Sequence, residues 1–337
     1  MPKPRDPAPR RRTGALALPD WIAPQLATLV SQPPAGNQWV HELKLDGYRI
    51  LVRIANGRAT LLTRNRQEWT DRYPTVAAAA AALPVNGAIL DGEVVALDRL
   101  GIPSFQALQQ ASDLVAGRSL SYVAFDLLFL DWRDVREAPL IERKALLARL
   151  LHGSKGVLGY SQHFEEPGQA VYERACRMGL EGIVSKQREA GYTSGRGQSW
   201  LKTKCIARQE FVIGGYTDPA GGRTEFGSLL LGVHDANGRL VYAGRVGTGF
   251  GHAMLKALGR RLRSLEQRQC PFESAAGAAG PGVHWVKPVL VAEVTFTEWT
   301  DDGRLRHPSF IALREDKPAS EVIREQRGRQ THRDSAS

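Results

Sequence analysis

The segment HELKLDGYRI holds four residues whose types and spacing could do chemistry on phosphates. Lys44, Asp46, Gly47 and Arg49 follow the pattern K-x-D-G-x-R just ahead of an apolar run. A lysine amine is a nucleophile once it has lost its proton, and charged neighbours can hold a cation or a phosphate. Taken alone, however, a lysine beside an aspartate in a turn is more often a solvated surface pair. The segments that follow along the chain decide between these two interpretations.

Further charged and aromatic residues follow in a fixed order. They lie in Leu62-Thr63-Arg64, Leu90-Asp91-Gly92-Glu93, Ala124-Phe125-Asp126-Leu127, Glu181-Gly182-Ile183-Val184-Ser185-Lys186, Trp200-Leu201-Lys202-Thr203-Lys204, His307-Pro308-Ser309-Phe310 and Leu313-Arg314-Glu315-Asp316-Lys317. Each has an ordinary structural alternative, such as a strand-edge carboxylate for Glu93, a core aromatic for Phe125 or a solvated face for Lys202. Together they supply a lysine nucleophile, carboxylates for a cation, an aromatic ring for a base and cations for phosphates. That set predicts transfer of a nucleotide through a lysine phosphoramidate.

The elements that must position these residues begin with a strand-rich region. Asn56-Gly57, between the apolar runs YRILVRI and RATLLTR, is a strong hairpin signal. Further strands are predicted at AILDGEVVAL, SYVAFDLLFLD and GIVSKQ. Helices are predicted at residues 76–83, 105–111, 141–151 and 169–178, and Gly179 ends the last of them.

The pattern changes near residue 206, where short strands such as FVIGGYTD, SLLLGVHD and RLVYAGRVG follow one another. Residues 252–266 predict an amphipathic helix with the apolar residues Met254, Leu255, Leu258, Leu262 and Leu265 on one face. Several short strands with one helix indicate a small β-barrel. We therefore divide the chain into a basic disordered arm at 1–14, a first domain at 15–206, a barrel at 207–320 and a basic tail at 321–337. A hinge is expected in the linker near Ile206.

Composition limits the class of protein. A chain of 337 residues and 37.0 kDa exceeds one compact core and predicts two domains. The net charge of +10, with five basic residues and one acid in residues 1–14, points to a polyanionic partner. No apolar run approaches the roughly 18 residues of a membrane span, and the chain start lacks the apolar region of a secretory signal. Because Cys176, Cys205 and Cys270 are scattered and odd in number, we expect a reducing cytosol without a disulfide framework or a cysteine-rich zinc site.

The ordered motifs resemble those of the ATP-dependent DNA ligases in the covalent nucleotidyltransferase superfamily. The likeness is greatest to the bacterial ligase module of the end-joining protein ligase D and its stand-alone relatives. It spans residues 42–317 and rests on KLDGYR, EGIVSK, WLKTK and LREDK, and LRHPSF with LREDK favours a DNA ligase over an mRNA capping enzyme. It implies an α+β fold, with an adenylation domain of antiparallel sheets flanked by helices and then an OB-fold barrel. The chain departs from the family at Arg66, near which glycine or asparagine is usual, and the role of Arg66 stays open.

The resemblance implies a role for each motif residue. Lys44 would attack the α-phosphorus of ATP and release pyrophosphate, in a site that favours the neutral amine with the help of nearby cations. The nucleotide would be held by Glu42 at the adenine amine, Phe125 stacked on the base, Arg49 and Arg64 at the ribose and phosphate, Lys186, Lys202 and Lys204 at the α-phosphate, and Arg314, Asp316 and Lys317 at the pyrophosphate. Glu93 would hold the ribose or a metal ion, and Glu181 a metal ion, Mg²⁺ or Mn²⁺. Arg64 would later meet the DNA 5′-phosphate.

The implied function is sealing of 5′-phosphate/3′-hydroxyl nicks in double-stranded DNA through a lysyl-AMP intermediate, in DNA repair. We expect a monomer in the bacterial cytosol without membrane contact. Its barrel would close over the nucleotide for lysyl-AMP formation and swing away to clasp DNA. An RNA ligase or capping-type enzyme, and a non-catalytic OB-fold DNA-binding protein, are the alternatives. The sequence leaves open recruitment by a Ku-type end-binding protein and the choice between nick repair and end joining.

Overall fold

A computed structural model describes residues 17–97, Leu108, 119–154, 156–219 and 224–325. The predicted basic arm at 1–14 lies outside these residues, as does the predicted helix at 105–111 except for Leu108. Most of the predicted tail, from residue 326 onward, also lies outside them. The elements below therefore belong to the described part of the chain.

The first sheet places three motif segments side by side. Its strands are β1 (Gln25–Leu29), β2 (Trp39–Leu43), β9 (His163–Phe164), β10 (Gly182–Gln187) and β11 (Gly195–Lys204). They lie in the order β1-β11-β10-β2-β9, and only β1 and β11 are parallel among these pairs. Ile183 of β10 pairs with Leu43 on one side and Thr203 on the other. The residue after β2, Lys44, thus lies beside the segments that carry Glu181 and the β11 lysines.

The second sheet carries the remaining motifs of the first half. Its strands are β3 (Tyr48–Ala55), β4 (Arg58–Thr63), β5 (Gly87–Leu97), β6 (Ser119–Leu130), β7 (Arg133–Asp134) and β8 (Leu158–Tyr160). They lie in the order β4-β3-β5-β6-β7, and β8 pairs in parallel with β6. The predicted hairpin is confirmed, since Asn56 and Gly57 join β3 to β4 with φ of 49° and 73°. The expectation of antiparallel sheets holds apart from the two parallel pairs, whose long crossovers leave no local sequence signal.

Among the described residues, three helices pack on the two sheets of the first half and a fourth packs in the second half. They are α1 (Pro74–Ala81), α2 (Leu140–Leu150), α3 (Gly168–Arg177) and α4 (His252–Ser264), followed by a 3₁₀-helix at Ala319–Glu321. All four lie within two residues of a predicted helix, and Gly179 ends α3 with φ of 72°, as expected. One apolar cluster joins α1 and α2 to the second sheet, and another joins α3 to the first. A third, which includes Leu51, Phe129 and Trp200, lies between the sheets.

The second half forms the predicted barrel. Its strands are β12 (Ala207–Thr217), β13 (Leu229–His234), β14 (Leu240–Val246), β15 (Glu266–Gln267), β16 (Val283–Phe296), β17 (Glu298–Trp299), β18 (Leu305–Arg306) and β19 (Ser309–Leu313). The main sheet runs β14-β13-β12-β16-β15, with β19 also on β16, while β17 and β18 form a separate hairpin. Helix α4 buries Leu255, Leu258 and Leu262 in the core of this half, as its apolar face predicts.

The cysteines correct one expectation. Cys176, near the end of α3, and Cys205, directly after β11, form a disulfide across 29 residues of sequence. The Cys205 amide donates to the Glu181 carbonyl at 2.9 Å, so the chain returns beside the turn that follows α3 and brings the two sulfurs together. Cys270 is free. The sequence did not predict this disulfide, because Cys176 and Cys205 are distant along the chain and become neighbours only when the strands pair.

Residues 321–325, which the sequence places in a basic tail, pack on the barrel. Val322 is fully buried, and the His234 amide donates to its carbonyl at 2.7 Å. The boundaries at residues 14, 206 and 320 stay predictions. Among the described residues, no helix is long and apolar enough to cross a membrane.

A buried ion pair fixes α2 to the second sheet. Arg143 donates to both carboxylate oxygens of Asp126, at 2.8 and 2.9 Å, and both side chains are fully buried. Arg143→Ala would leave Asp126 charged and unpaired, so the free energy of unfolding should fall by about 3–5 kcal/mol in urea titration. Arg149→Ala, at an exposed position of the same helix, is the control and should change it by less than about 0.5 kcal/mol. A loss for Arg143→Ala no larger than that of the control would contradict this role.

Candidate active site

Lys44 lies between β2 of the first sheet and β3 of the second. Its amide donates to the Gly182 carbonyl at 2.9 Å, which fixes the lysine beside β10. Gly47 follows in a confined space, where a Cβ would lie 2.1 Å from the Val94 carbonyl oxygen. The glycine in the K-x-D-G pattern is therefore required by the close approach of two strands. The Lys44 ammonium donates to the Glu181 carboxylate at 2.5 Å.

The pKa of Lys44 is raised above its ordinary value. Burial acts to lower this pKa, but the charge of Glu181 and its hydrogen bond to Lys44, together with the charges of Glu93 and Asp46, more than offset burial. The expectation that the site favours a neutral amine is therefore wrong for this arrangement. Lys44 is held as an ammonium and must release a proton before it can act as a nucleophile.

The two carboxylates predicted to bind a metal ion differ in their charge state. Burial raises the pKa of Glu93 to about 8, and attraction to Lys44 and Arg314 offsets burial only in part. Burial also acts to raise the pKa of Glu181, but Lys44 and Arg208 hold it at about 2. Near neutral pH, Glu181 is therefore ionised while Glu93 largely keeps its proton. An additional cation at Glu93 would supply the counter-charge that this carboxyl lacks.

Glu42, on β2, forms the acidic end of the site, and both of its carboxylate oxygens are held. Oε1 accepts a hydrogen bond from Lys144 at 2.8 Å and lies 2.9 Å from the Lys186 ammonium. Oε2 accepts from the Ser161 hydroxyl at 2.8 Å. Burial would raise the pKa of Glu42, but Lys144 and Lys186 keep it below its ordinary value. Lys186, predicted to meet the α-phosphate, is thus paired with Glu42 instead.

Phe125, on β6, offers the predicted aromatic surface. Its ring meets Trp200 edge to face, with ring centroids 5.9 Å apart. The Lys186 ammonium lies 4.6 Å from the Phe125 ring and 4.2 Å from the Trp200 ring. Val184, on β10, adds an aliphatic surface to the same cavity. These side chains suit the faces of a flat heterocyclic base.

Arg49 is fixed in the wall of the site by a network of hydrogen bonds. Its Nε and Nη2 donate to the two carboxylate oxygens of Asp91 at 2.9 and 2.5 Å, and its Nη1 donates to the Gln25 carbonyl at 2.6 Å. The Tyr192 hydroxyl also donates to Asp91, at 2.7 Å. Because its guanidinium is already oriented, Arg49 can present its charge to a ligand with little loss of side-chain freedom.

Lys202 and Lys204 stand two residues apart on β11 and meet one carboxylate, that of Glu325. The Lys204 ammonium lies 2.8 Å from Glu325 Oε2, and Lys202 pairs with Oε1. Gln209 secures this contact, since its side chain accepts from the Glu325 amide and donates to the Ile323 carbonyl, both at 3.1 Å. Burial and the charge of Lys204 lower the pKa of Lys202 to about 8. Glu325 thus occupies the cations that the sequence assigns to the α-phosphate.

The barrel contributes two further cations. Arg314 donates to both oxygens of Asp316, at 2.9 and 2.8 Å, and to Glu293 at 3.2 Å. Lys317 pairs with Glu210 at 3.1 Å. Arg314 and Lys317 line the same cavity as Lys44, although about 270 residues separate them in the sequence. The barrel therefore lies over this cavity, and the sequence predicts such a closed arrangement for lysyl-AMP formation.

Contacts beside Arg64 hold the barrel to the first half. Arg64 pairs with Glu321 at 3.0 Å, and the Asn65 side chain donates to the Asp316 carbonyl at 2.7 Å. Arg66 has φ of 64°, a left-handed conformation that glycine or asparagine adopts at low cost. The side chain of Arg66 is exposed at this turn.

One cavity of about 570 Å³ brings together the predicted site residues. It is lined by Glu42, Lys44, Arg49, Arg64, Glu93, Phe125, Glu181, Lys186, Lys202, Lys204, Arg314, Asp316 and Lys317. Its volume lies in the range of small-molecule sites. Its lining combines an aromatic ring, carboxylates and several cations, which are the groups that the sequence predicts for a nucleotide site.

Sequence reasoning missed the residues that hold the predicted ones in place, namely Lys144, Ser161, Arg208, Glu293 and Glu325. Lys144 had a detectable signal, since Leu140, Arg143, Lys144 and Leu147 follow the i, i+3, i+4, i+7 spacing of a buried helical stripe. A cation in such a stripe needs a buried counter-charge. Glu325 had no such signal, because its segment has the composition of a tail.

Family models match most of the chain. Residues 24–204 match the model described as ATP dependent DNA ligase domain, and residues 222–317 match the model described as ATP dependent DNA ligase C terminal region. The first match alone covers more than half of the 337 residues. Both matched regions contain residues that line the cavity.

Individual proteins are also similar to this chain. The multifunctional non-homologous end joining protein LigD of Pseudomonas aeruginosa is 45% identical over 324 residues, which are 95% of this chain and 38% of that protein. A probable DNA ligase of Streptomyces coelicolor is 34% identical over 297 residues, 82% of this chain and 56% of that protein. The solved mycobacterial DNA ligase D complexed with ATP and MES is 37% identical with a TM-score of 0.67, covering 90% of this chain and 98% of that one. The chain thus spans less than two thirds of these two curated relatives, and the structural match confirms the adenylation domain followed by an OB-fold.

Glu325→Gln should destabilise the protein at neutral pH. Burial would raise the pKa of Glu325, but Lys202 and Lys204 lower it to about 2 from an ordinary value of 4.5. The stability contributed by the ionised carboxylate is therefore present above pH 4.5 and lost as the pH falls towards about 2. We expect up to about 3 kcal/mol less unfolding free energy at about pH 7, and a smaller difference at about pH 3, by denaturant titration. In the control Glu321→Gln, whose carboxylate is 48% exposed, the loss should stay below about 1 kcal/mol. Equal losses for Glu325→Gln at both pH values would contradict this assignment.

Proposed function

Because the chain belongs to the ATP-dependent DNA ligase family, we propose that it seals 5′-phosphate/3′-hydroxyl nicks in double-stranded DNA through AMP bound to Lys44. The position of Lys44 in the cavity supports this most directly. Lys44 lines the same cavity as Phe125 and Glu42, which suit a base, and as the barrel cations Arg314 and Lys317. ATP bound with its base at Phe125 and its terminal phosphates at the barrel would have its α-phosphorus near Lys44.

The first chemical step is attack of the Lys44 amine on the α-phosphorus of ATP. A nitrogen–phosphorus bond forms, and the bond from the α-phosphorus to the bridging oxygen of pyrophosphate breaks. Lys44 must release its proton to solvent before this step, because Glu181, with a pKa of about 2, holds the ammonium in an ion pair and is too weak a base to accept that proton. Arg314 and Lys317 stabilise the charge that develops on the pyrophosphate. AMP then passes to the DNA 5′-phosphate, and the 3′-hydroxyl attacks that phosphate as AMP leaves.

Glu93 and Glu181 fit a divalent cation. Their carboxylate oxygens are the hard donors that Mg²⁺ and Mn²⁺ prefer, and the raised pKa of Glu93, about 8, leaves that carboxyl short of counter-charge. The described residues contain no group of three or more ligating side chains, so phosphate oxygens and water would complete the coordination. When bound, such an ion would supply positive charge at the reacting phosphate.

DNA requires a second position of the barrel. Arg64, the cation that a DNA 5′-phosphate would meet, pairs with Glu321, and the neighbouring Asn65 donates to the Asp316 carbonyl. The barrel therefore covers Arg64 in this arrangement. We therefore assign residues 15–206 to the adenylation domain and residues 207–320 to a barrel that swings about the exposed linker at Ile206 to clasp the duplex. The end-joining name of the Pseudomonas relative supports a role in DNA repair. We further propose a monomer in the bacterial cytosol, with a Ku-type end-binding protein as a candidate partner.

Lys44→Ala should abolish the covalent adenylate, because the other lysines of the cavity are held by different carboxylates, Lys186 by Glu42, Lys202 and Lys204 by Glu325, and Lys317 by Glu210. Lys44→Arg should fail as well, since a guanidinium stays protonated. Radiolabelled ATP followed by denaturing electrophoresis measures the adduct, and Lys256→Ala, at an exposed position on α4, is the matched control with normal labelling. Normal labelling of Lys44→Ala would exclude Lys44 as the nucleophile. Nick sealing on all-DNA and RNA-containing duplexes then tests the RNA-ligase alternative.

Arg314→Ala and Lys317→Ala should each slow adenylate formation by about 100-fold, because the leaving pyrophosphate loses a charge partner. Both variants should still seal a nick that already carries AMP, since no pyrophosphate leaves in that step. Single-turnover rates with ATP and with a pre-adenylylated nick measure the two steps separately. Arg306→Ala, at an exposed barrel position, is the control. If both rates fell equally, these residues would serve the DNA chemistry directly.

A further inference from the structure

We propose that Lys144 sets the preference for adenine by holding the Glu42 carboxylate from the side away from the nucleotide. It is a positioning residue, because it acts through Glu42 and does not line the cavity. The inference rests on the proposed function, in which Glu42 accepts a hydrogen bond from the exocyclic amine of ATP. Lys144 belongs to helix α2 and to none of the motifs that carry the family resemblance.

The position of Lys144 is fixed by α2 and by the strand segment opposite. Its side chain is fully buried, and its ammonium donates to Glu42 Oε1 at 2.8 Å and to the Ser161 carbonyl at 2.9 Å. The ammonium also lies 4.7 Å from the Tyr160 ring. A lysine in the buried stripe of a helix is costly unless it is paired in this way. The helix therefore delivers one positive charge to one oxygen of Glu42.

Glu42 has a second partner on its other oxygen, which fixes the plane of the carboxylate. The Ser161 hydroxyl donates to Oε2 at 2.8 Å, so Lys144 and Ser161 hold Glu42 by opposite oxygens. Lys186 also pairs with Oε1, at 2.9 Å, but Lys186 lines the cavity and can contact the nucleotide itself. Lys144 is thus the cation whose effect on the nucleotide passes through Glu42 alone.

Base discrimination follows from the charge of this carboxylate. An ionised carboxylate only accepts hydrogen bonds, so it pairs with the amine of adenine and repels the O6 carbonyl of guanine. Without Lys144, the buried Glu42 would lose a charge partner and would bind a proton more readily or turn towards Lys186. A protonated carboxyl can donate to O6, so the preference for ATP over GTP should narrow. With purine riboside triphosphate, which lacks the exocyclic amine, the efficiency of adenylylation should fall much less than with ATP.

The experiment compares the full chain with Lys144→Met, which keeps side-chain length but removes the charge, and with Lys144→Arg, which keeps the charge. Arg149→Ala, on the exposed face of α2, is the matched control. Single-turnover adenylylation is measured with ATP, GTP and purine riboside triphosphate, each over a concentration series. We expect the ATP/GTP efficiency ratio to fall by about tenfold or more in Lys144→Met, through a raised half-saturation concentration for ATP. Lys144→Arg should restore part of the ratio, and Arg149→Ala should leave it unchanged.

A merely structural role predicts a different result, in which Lys144→Met slows labelling with all three nucleotides by the same factor. That result would overturn the proposal. If circular dichroism shows that Lys144→Met does not fold, Ser161→Ala takes its place. This variant removes the other hydrogen bond that orients Glu42 and should also narrow the ATP/GTP ratio. An unchanged ATP/GTP ratio in folded Ser161→Ala would then overturn the proposal. Absence of any adduct in the unmodified chain would refute the proposed function itself, which separates the two failures.

Discussion

The site depends on a cross-domain contact made by Arg208, which lies at the start of the barrel. Its Nη1 donates to Asp46, in the loop of Lys44, at 2.8 Å, and its Nε donates to Glu293, within the barrel, at 2.8 Å. Glu293 in turn accepts from Arg314 at 3.2 Å. One guanidinium therefore links the loop of the nucleophile to the cation expected at the pyrophosphate. These paired charges hold the barrel against the loop of Lys44.

Charges within the cavity are compensated by the protein itself. Glu181 pairs with Lys44, and Glu325 pairs with Lys202 and Lys204. Because an uncompensated buried charge is costly, the charges of a substrate can enter only as these pairs exchange partners. Phosphate oxygens would take the place of the Glu325 carboxylate, and a cation at Glu181 would free the Lys44 amine to lose its proton. The raised pKa of Lys44 is thus caused by its ion pair with Glu181 and is not an intrinsic property of this lysine.

Much of the fold and of the cavity lining was predictable, because strand, helix and motif signals are local in the sequence. The hairpin at Asn56-Gly57 and the helix ending at Gly179 are examples, since a left-handed backbone is required at those positions. What was missed depends on distant contacts. The Cys176–Cys205 disulfide results from chain return beside β10, and Glu325 reaches the cavity from a segment with the composition of a tail. The charge state of Lys44 also depends on partners that spacing alone does not reveal.

The most direct test is the distance between the two halves of the chain. Spin labels would be placed through Arg58→Cys and Ala236→Cys, two exposed hairpin positions, with Cys270→Ser to remove the free thiol. Pulsed electron paramagnetic resonance then reports the distance distribution. We expect the distance of the closed arrangement for the protein alone and a distinct second distance on nicked DNA. Arg208→Ala should populate the second distance without DNA. One unchanged distribution with and without nicked DNA would contradict a barrel that moves between two positions.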